Sequence, residues 1–377
     1  MRKSFTIVFI INMAVRTITQ GLLPLFPVIT ERVGASKQQN GYILAISYAM
    51  LLTATYLAGK LVPKYTQPKR LLLFSILPLC VCMGLIGYCH DILNFTAVTI
   101  IMFFFIGINT MASVILITQY SDQNSIGANF GILGLSNLLS SLLGGFIVGP
   151  VLFKLGYEQG FIVFGISLLV ISCLVFFIKQ LQTATTKAIP NQKILSPRFF
   201  LLLVSFVLAV MLIHVFLFSF SLSMRKAGYN ISQISIYAAC GAVVCLPFPY
   251  LFGKWVKRYN SKVFVLIAYG CVGTAILLLL LPKWTPTIVL AIALCNIMAF
   301  SGRVPVVTFT YSWFEPKDQP MVQAYLGTSA WLAAIIGYLT TGIILEHFGF
   351  TYTILYGIAI SVISLIILGF FVKSPKR

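Results

Sequence analysis

Twelve continuously apolar runs dictate what this chain can become. They fall at roughly 5–29, 41–61, 71–89, 93–118, 128–153, 160–178, 199–224, 234–252, 262–281, 287–313, 322–345 and 351–372. About 20 residues of helix cross a bilayer. In lipid, backbone N–H and C=O groups find partners only within their own segment or in a closed barrel. The runs lack the short alternating pattern of barrel strands, so each predicts a membrane-spanning helix. Hydrophobic residues make up 59% of the chain and charged ones 9%, a balance foreign to soluble domains. No stretch between the runs is long enough to hold a core of its own. Arg2 and Lys3 before an apolar run imitate a secretory signal, but the run is too long and Arg16 interrupts it, so a retained first span is expected.

The net charge of +19 raises nucleic acid as a partner, but its placement speaks for topology instead. Of the 26 lysines and arginines, Arg16 and Arg303 lie inside runs. Arg32, Lys37, Lys154, Arg225, Lys226 and Lys283 flank the spans on one side, and the other eighteen share the side of the N-terminus. Cytoplasmic loops hold the basic excess in membrane proteins, so both termini are expected in the cytoplasm, with the lipid bilayer as partner and no nucleic acid. The eight cysteines sit in or at the edge of runs and read as small buried apolar residues. No metal, disulfide or cofactor is expected.

Residues 179–198 form the one long polar stretch between runs, with two prolines and no acidic residue. They divide the chain into an N-terminal six-helix bundle (1–178), a cytoplasmic linker (179–198) and a C-terminal six-helix bundle (199–377). The halves repeat at an offset of 194 residues, Gly34 answering to Gly228. Gly59-Lys60-x-Val62-x-Lys64-Tyr65 likewise matches Gly253-Lys254-x-Val256-x-Arg258-Tyr259, and Leu155-Gly156-Tyr157 resembles Phe348-Gly349-Phe350.

On these residues the chain resembles the major facilitator superfamily over its whole length. The segments from Gly59, Lys60, Lys64 and from Gly253, Lys254, Arg258 are similar to that family's cytoplasmic signature loop, with Pro63 and Lys257 where the family carries aspartate. Ser301-Gly302-Arg303-Val304-Pro305 resembles a stretch of the bacterial drug, metabolite and sugar efflux branch. The resemblance implies an all-α fold of twelve transmembrane helices in two pseudo-symmetric bundles, a multi-pass protein of the bacterial inner membrane that works as a monomer. It also implies a solute site near the bilayer midplane, lined by spans 1, 4, 7 and 10, with access alternating between the two sides.

Those spans carry the candidate substrate residues. Asn12, Arg16, Thr19 and Gln20 follow helical spacing on span 1, and Asn296, Arg303 and Thr310 recur every seven residues on span 10. The repeat maps Arg303 onto Asn109 and His214 onto Gln20. A charge at mid-bilayer depth costs about 2.5–3.5 kcal/mol on insertion scales, and no acidic residue falls inside a run to answer either arginine. A guanidinium fork grips carboxylate or phosphate in two places, so Arg16 and Arg303 predict an anionic guest. The alternative is local neutralisation, by carbonyls freed at Gly302 and Pro305 or by a loop carboxylate. Asn12, Gln20 and Asn109 read equally as ligand contacts or as polar contacts between helices. His214 is either a carrier of coupling protons or a neutral, hydrogen-bonded residue. Among the aromatics, Tyr48, Tyr56, Tyr237, Trp331 and Tyr338 are candidates for lining the route, and Gly144, Gly145, Gly149 and Gly337 for close helix packing.

Secondary active transport of a small organic anion or amphipath, with efflux favoured by the branch resemblance, is the function these residues predict. Uptake of an organic anion by proton symport or exchange is the alternative. No phosphate-cradling G-x-x-x-x-G-K-[ST] occurs, so ATP drive is not expected. An intramembrane lipid-modifying enzyme needs an acid/base or nucleophile cluster that the spans do not supply, so no enzyme activity is expected.

Overall fold

The computed structural model describes residues 2–65, 68–119, 126–178, 195–282, 284–311, 313–314 and 318–372, and its regular structure is helical throughout. Among the described residues eleven stretches are long and apolar enough to span a bilayer. One of them, Ser136–Phe177, is 42 residues long and turns a corner at Gly156, so it supplies two crossings. This is the twelve-span, all-α architecture that the apolar runs predict.

Where a run is interrupted, proline or glycine explains it. The first run is two helices, α1 (Arg2–Leu22) and α2 (Phe26–Arg32), parted at Pro24, which has no N–H to continue the ladder. α3 (Lys37–Tyr65), α4 (Pro68–Ile86), α5 (Ile92–Gln119) and α6 (Ile126–Ser172) follow, α6 ending in a tight turn over Cys173–Phe177. After α7 (Pro197–Lys226), the eighth run again breaks in two, α8 (Ile231–Cys245) and α9 (Phe248–Arg258), at Pro247. α10 (Ser261–Leu278) precedes the tenth run, which is α11 (Thr285–Asn296), a π turn (Ile297–Ser301) and α12 (Arg303–Tyr311). α13 (Gln319–His347) and α14 (Gly349–Ile366) follow, α14 passing into a second π turn over Ile367–Phe371.

One expectation needs correcting. Gly59, Lys60 and Lys64 lie on the last turns of α3, and Gly253, Lys254 and Arg258 on α9, so the signature segments are helical rather than loops. The helices outlast their apolar runs because lysine and arginine are good helix formers. The side chains of Lys60 and Lys64 lie outside the described set.

The chain falls into two compact units. Unit 1 comprises Met1–Ala35, Ile46–Ile189 and Asn230–Ile236; unit 2 comprises Ser36–Ala45, Pro190–Tyr229 and Tyr237–Arg377. The repeat is written in the backbone of both. Among the described residues only four have positive φ, all glycines: Gly34 (81°) answers to Gly228 (90°), and Gly156 (76°) to Gly349 (84°). Left-handed backbone suits glycine alone at no steric cost. Just past the first pair, Ser36 and Gln39 cap α3 reciprocally, N–H to side chain in both directions, and Asn230 and Gln233 do the same for α8. These are capping boxes. The Lys69 ammonium at the start of α4 donates to the carbonyls of Phe176 and Ile178, and Lys262 at the start of α10 donates to that of Gly369. Each thus satisfies carbonyls that a helix end leaves open.

Within unit 1, α1 lies directly on α6. A Cβ on Gly144 would come 2.2 Å from the Thr17 carbonyl oxygen, and one on Gly21 would meet Gly144 at 2.6 Å. Within unit 2, Gly337 lets α13 come close to α7, a Cβ there meeting the Met211 carbonyl oxygen at 3.0 Å and His214 Cβ at 3.1 Å. Small residues allow such contact between membrane helices, where dispersion rather than the hydrophobic effect holds them. Phe26, Phe95, Phe103 and Tyr48 fill unit 1 with edge-on ring contacts.

Two outcomes follow from this packing. Gly144→Ala forces backbone apart and should cost about 1–3 kcal/mol, whereas Gly84→Ala, where a Cβ meets nothing within 4 Å, should be neutral or stabilising; thermal unfolding in detergent compares them. Asp91 caps α5, accepting from the Asn94 backbone N–H at 2.8 Å and from its side-chain amide. These bonds hold its carboxyl below the usual carboxylate range, the backbone bond contributing most. A depressed pKa gives stability that is present above the unfolded value and lost as pH falls through the folded one. The melting gap between wild type and Asp91→Ala should therefore be full at pH 7 and close on acidification.

Candidate substrate site

The middle of α1 carries a charge that its surroundings do not answer. Arg16 is half-buried, and its Nη2 donates to Thr110 Oγ1 on α5 at 3.2 Å. The Thr110 hydroxyl in turn donates to the Ile106 carbonyl at 2.8 Å. Tyr48 of α3 is within electrostatic reach of the guanidinium; its ring is 3% exposed and packs on Phe103 at 5.2 Å. A guanidinium has five N–H donors, and one of Arg16's is engaged by a neutral hydroxyl. Among the described residues no carboxylate pairs with it; the ion pair found there joins His90 to Glu158, both largely exposed. Asp122 and Glu315 lie outside the described residues.

Arg303 stands immediately after the π turn of the tenth run. A π turn holds one residue more than the α turn it replaces. It is closed here by Gly302, whose N–H reaches the carbonyls of Ile297 at 2.9 Å and Met298 at 3.1 Å. Glycine is required, since a Cβ would meet Met298 Sδ at 2.5 Å and its carbonyl oxygen at 2.7 Å. Arg303 is exposed. It has no hydrogen-bond or ion-pair partner among the described residues. The extra residue turns Asn296 out of register with Arg303, while Arg303 and Thr310, both on α12, keep their seven-residue spacing. Asn296, before the turn, is buried while Arg303, after it, is open; Thr310 is buried as well and bonds the Val307 carbonyl.

The remaining candidates divide. Asn12 and Asn109 are each 2% exposed and join helices within unit 1, Asn12 to Ser136 of α6 and Asn109 to Ser75 of α4, both at 3.3 Å. Gln20 is half-buried, one turn from Arg16, without a polar partner among the described residues. His214 is half-buried on α7, its ring 4.9 Å from that of Tyr338 on α13. Of the other aromatics, Tyr56 is exposed and Tyr237 meets Thr285 at 3.1 Å. Arg258 reaches over the Tyr259 ring at 5.8 Å.

Two features escaped the sequence reading. Thr110, the partner of Arg16, follows Asn109 directly, and Ser113, buried and without a described partner, lies one turn on. The spacing of 109, 110 and 113 on span 4 was the available signal.

The profile described as Major Facilitator Superfamily matches residues 5–312 and also 228–377. No curated protein matches the chain in sequence. Among solved structures, a mutant of the nucleoside transporter NupG superposes with a TM-score of 0.82 at 14% identity, over 98% of this chain and 100% of that one. A bacterial homologue of the human lysosomal transporter Spinster, inward-facing and occupied, gives 0.77 at 13% identity, over 99% and 96%. The human organic anion transporter MFSD10 gives 0.68 at 16% identity, over 97% and 99%. At these identities the likeness is one of fold.

Thr110→Val removes the one described hydrogen bond of Arg16 and keeps its volume. A hydrogen bond to a charged group contributes about 1.5–3 kcal/mol, so the thermal unfolding midpoint of the variant should fall, and Arg16→Ala combined with Thr110→Val should fall no further than Arg16→Ala alone.

Proposed function

The chain belongs to the major facilitator superfamily, and from that premise we propose that it is a secondary active transporter that moves a small organic anion out of the cytoplasm. The observation that carries the reading is Arg16. An arginine halfway along a membrane helix, met among the described residues by a threonine hydroxyl, has a positive charge and four further N–H donors to offer a guest. Arg303 adds a second guanidinium with open surface and no described partner. Two such groups favour a solute with a carboxylate or phosphate, because bidentate, charge-assisted bonds return part of what desolvating the cation costs. Gln20, one turn from Arg16, is a neutral hydrogen-bonding group for the rest of the solute.

Efflux is supported by the branch resemblance of Ser301 to Pro305. The basic excess on the N-terminal side of the spans supports cytoplasmic termini in a bacterial inner membrane, with the protein acting as a monomer. His214, packed against Tyr338, is the residue through which protons would couple if uptake were the working direction.

Purified protein in proteoliposomes of known orientation, offered a panel of labelled organic anions, cations and neutral solutes, tests the reading. A transported anion should lose about 10- to 100-fold in apparent affinity in Arg16→Ala and in Arg303→Ala, as expected for one lost charge-assisted contact. Arg16→Lys should restore part of it. Transport of neutral or cationic solutes alone, indifferent to both arginines, would falsify the anion assignment, and movement of the anion only inward would reverse the direction.

A further inference from the structure

The first turn of α8 does something to α6 that its counterpart elsewhere in the chain does not. Ser235, fully buried, accepts from the Gly149 N–H at 3.2 Å and donates to the Gly145 carbonyl at 2.7 Å. Those are the N–H and C=O that an uninterrupted helix pairs with each other, four residues apart. The hydroxyl therefore bridges one rung of α6 from the side. The next rung is missing altogether, because Pro150 has no N–H for the Phe146 carbonyl. Gly149 makes the approach possible: a Cβ there would come 2.2 Å from Ser235 Cβ and 2.8 Å from the Ile231 carbonyl oxygen.

The repeat supplies the comparison. Ser235 lies 194 residues after Gly41, and Gly342 lies 193 after Gly149. Within unit 2, Gly41 and Gly342 make the equivalent contact, each Cβ position under 3 Å from the other's backbone. Among the described residues no serine stands at the position of Ser235 there, Gly41 taking its place. Instead, the Glu346 carboxylate accepts the Lys37 backbone N–H at 3.0 Å. The duplicated contact is thus plain glycine packing in one unit and a hydrogen-bond bridge in the other.

We propose that Ser235 is a hydrogen-bond switch on α6. With the hydroxyl seated, the Gly149 N–H and the Gly145 carbonyl, which stay at helical spacing, each take the Ser235 oxygen as an added partner. With it withdrawn, the N–H of Gly149 and the carbonyl of Gly145 keep each other within the helix, and the serine bonds the Ile231 carbonyl of its own helix, as serines in helices do. Hydrogen bonds are kept in both arrangements, so neither leaves a polar group bare in lipid. That near-balance lets the first turn of α8 dock on α6 and leave it at little cost, and the docked state is what Ser235 favours over a plain glycine contact. The inference is independent of which solute is carried.

The test reads docking directly. In protein whose native cysteines are replaced, Ile231→Cys puts a thiol on the docked turn, at a position 7% exposed, and its maleimide labelling rate reports undocking. Ser235→Ala and Ser235→Gly, the latter copying Gly41, should each raise that rate about tenfold, the effect of losing roughly one net hydrogen bond. Gly149→Ala, which blocks seating while keeping the hydroxyl, should raise it at least as much. Size-exclusion profiles and helical circular dichroism verify that each variant is folded. Labelling of both Ser235 variants at the parent rate overturns the proposal, whether Gly149→Ala labels faster, which would make the contact one of packing alone, or does not.

Discussion

Inside a bilayer a backbone group without a partner has no water to turn to, and this constraint shapes every departure from regular helix in the molecule. Several departures come with a substitute. Where α6 and the turn after it run out of donors, the Lys69 ammonium reaches the last carbonyls, and Lys262 serves the end of the last span in the same way. Where the π turn lengthens the tenth run, one glycine N–H serves two carbonyls. Where Pro150 weakens α6, the Ser235 hydroxyl bridges the rung beside it. The helices are thus free to bend at chosen places because another group completes the hydrogen bonding there.

The same medium gives the two arginines their meaning. Neither has a carboxylate among the described residues, and neutral partners such as Thr110 hold a guanidinium in position without discharging it. A structural cation in lipid usually comes with its counter-ion. An unanswered one, held on an element that is bent or broken nearby, is the arrangement expected where the counter-ion arrives and departs. Arg303, one residue beyond the π turn, fits that description, and Arg16 is kept in register by the tight contact of Gly21 and Gly144 one turn further along α1.

The sequence carried the architecture plainly because its signals are local or repeated. Apolar runs give helices, and Gly34 with Gly228 and Gly156 with Gly349 recur because left-handed corners demand glycine. The site was only half legible. Arg16 and Arg303 stand out by charge alone, but what they touch depends on how α1, α5 and α12 are rotated, which no spacing rule fixes. Asn12 and Asn109 share the helical spacing of cavity residues, yet each is buried against a serine of a neighbouring helix. The signature segments looked like loops because they are basic; lysine and arginine extend α3 and α9 readily, so polarity there marks the membrane boundary rather than the end of a helix.

The π turn before Arg303 has an evolutionary corollary. Insertion of a single codon into a regular helix turns everything beyond it by roughly 100° about the axis. A cation facing a neighbouring helix can in this way be swung toward the translocation path without any change in its own identity. Selectivity in a lineage of such carriers can therefore change by insertion and deletion as well as by substitution, and alignments that force the tenth span to be gapless will put non-equivalent side chains in the same column.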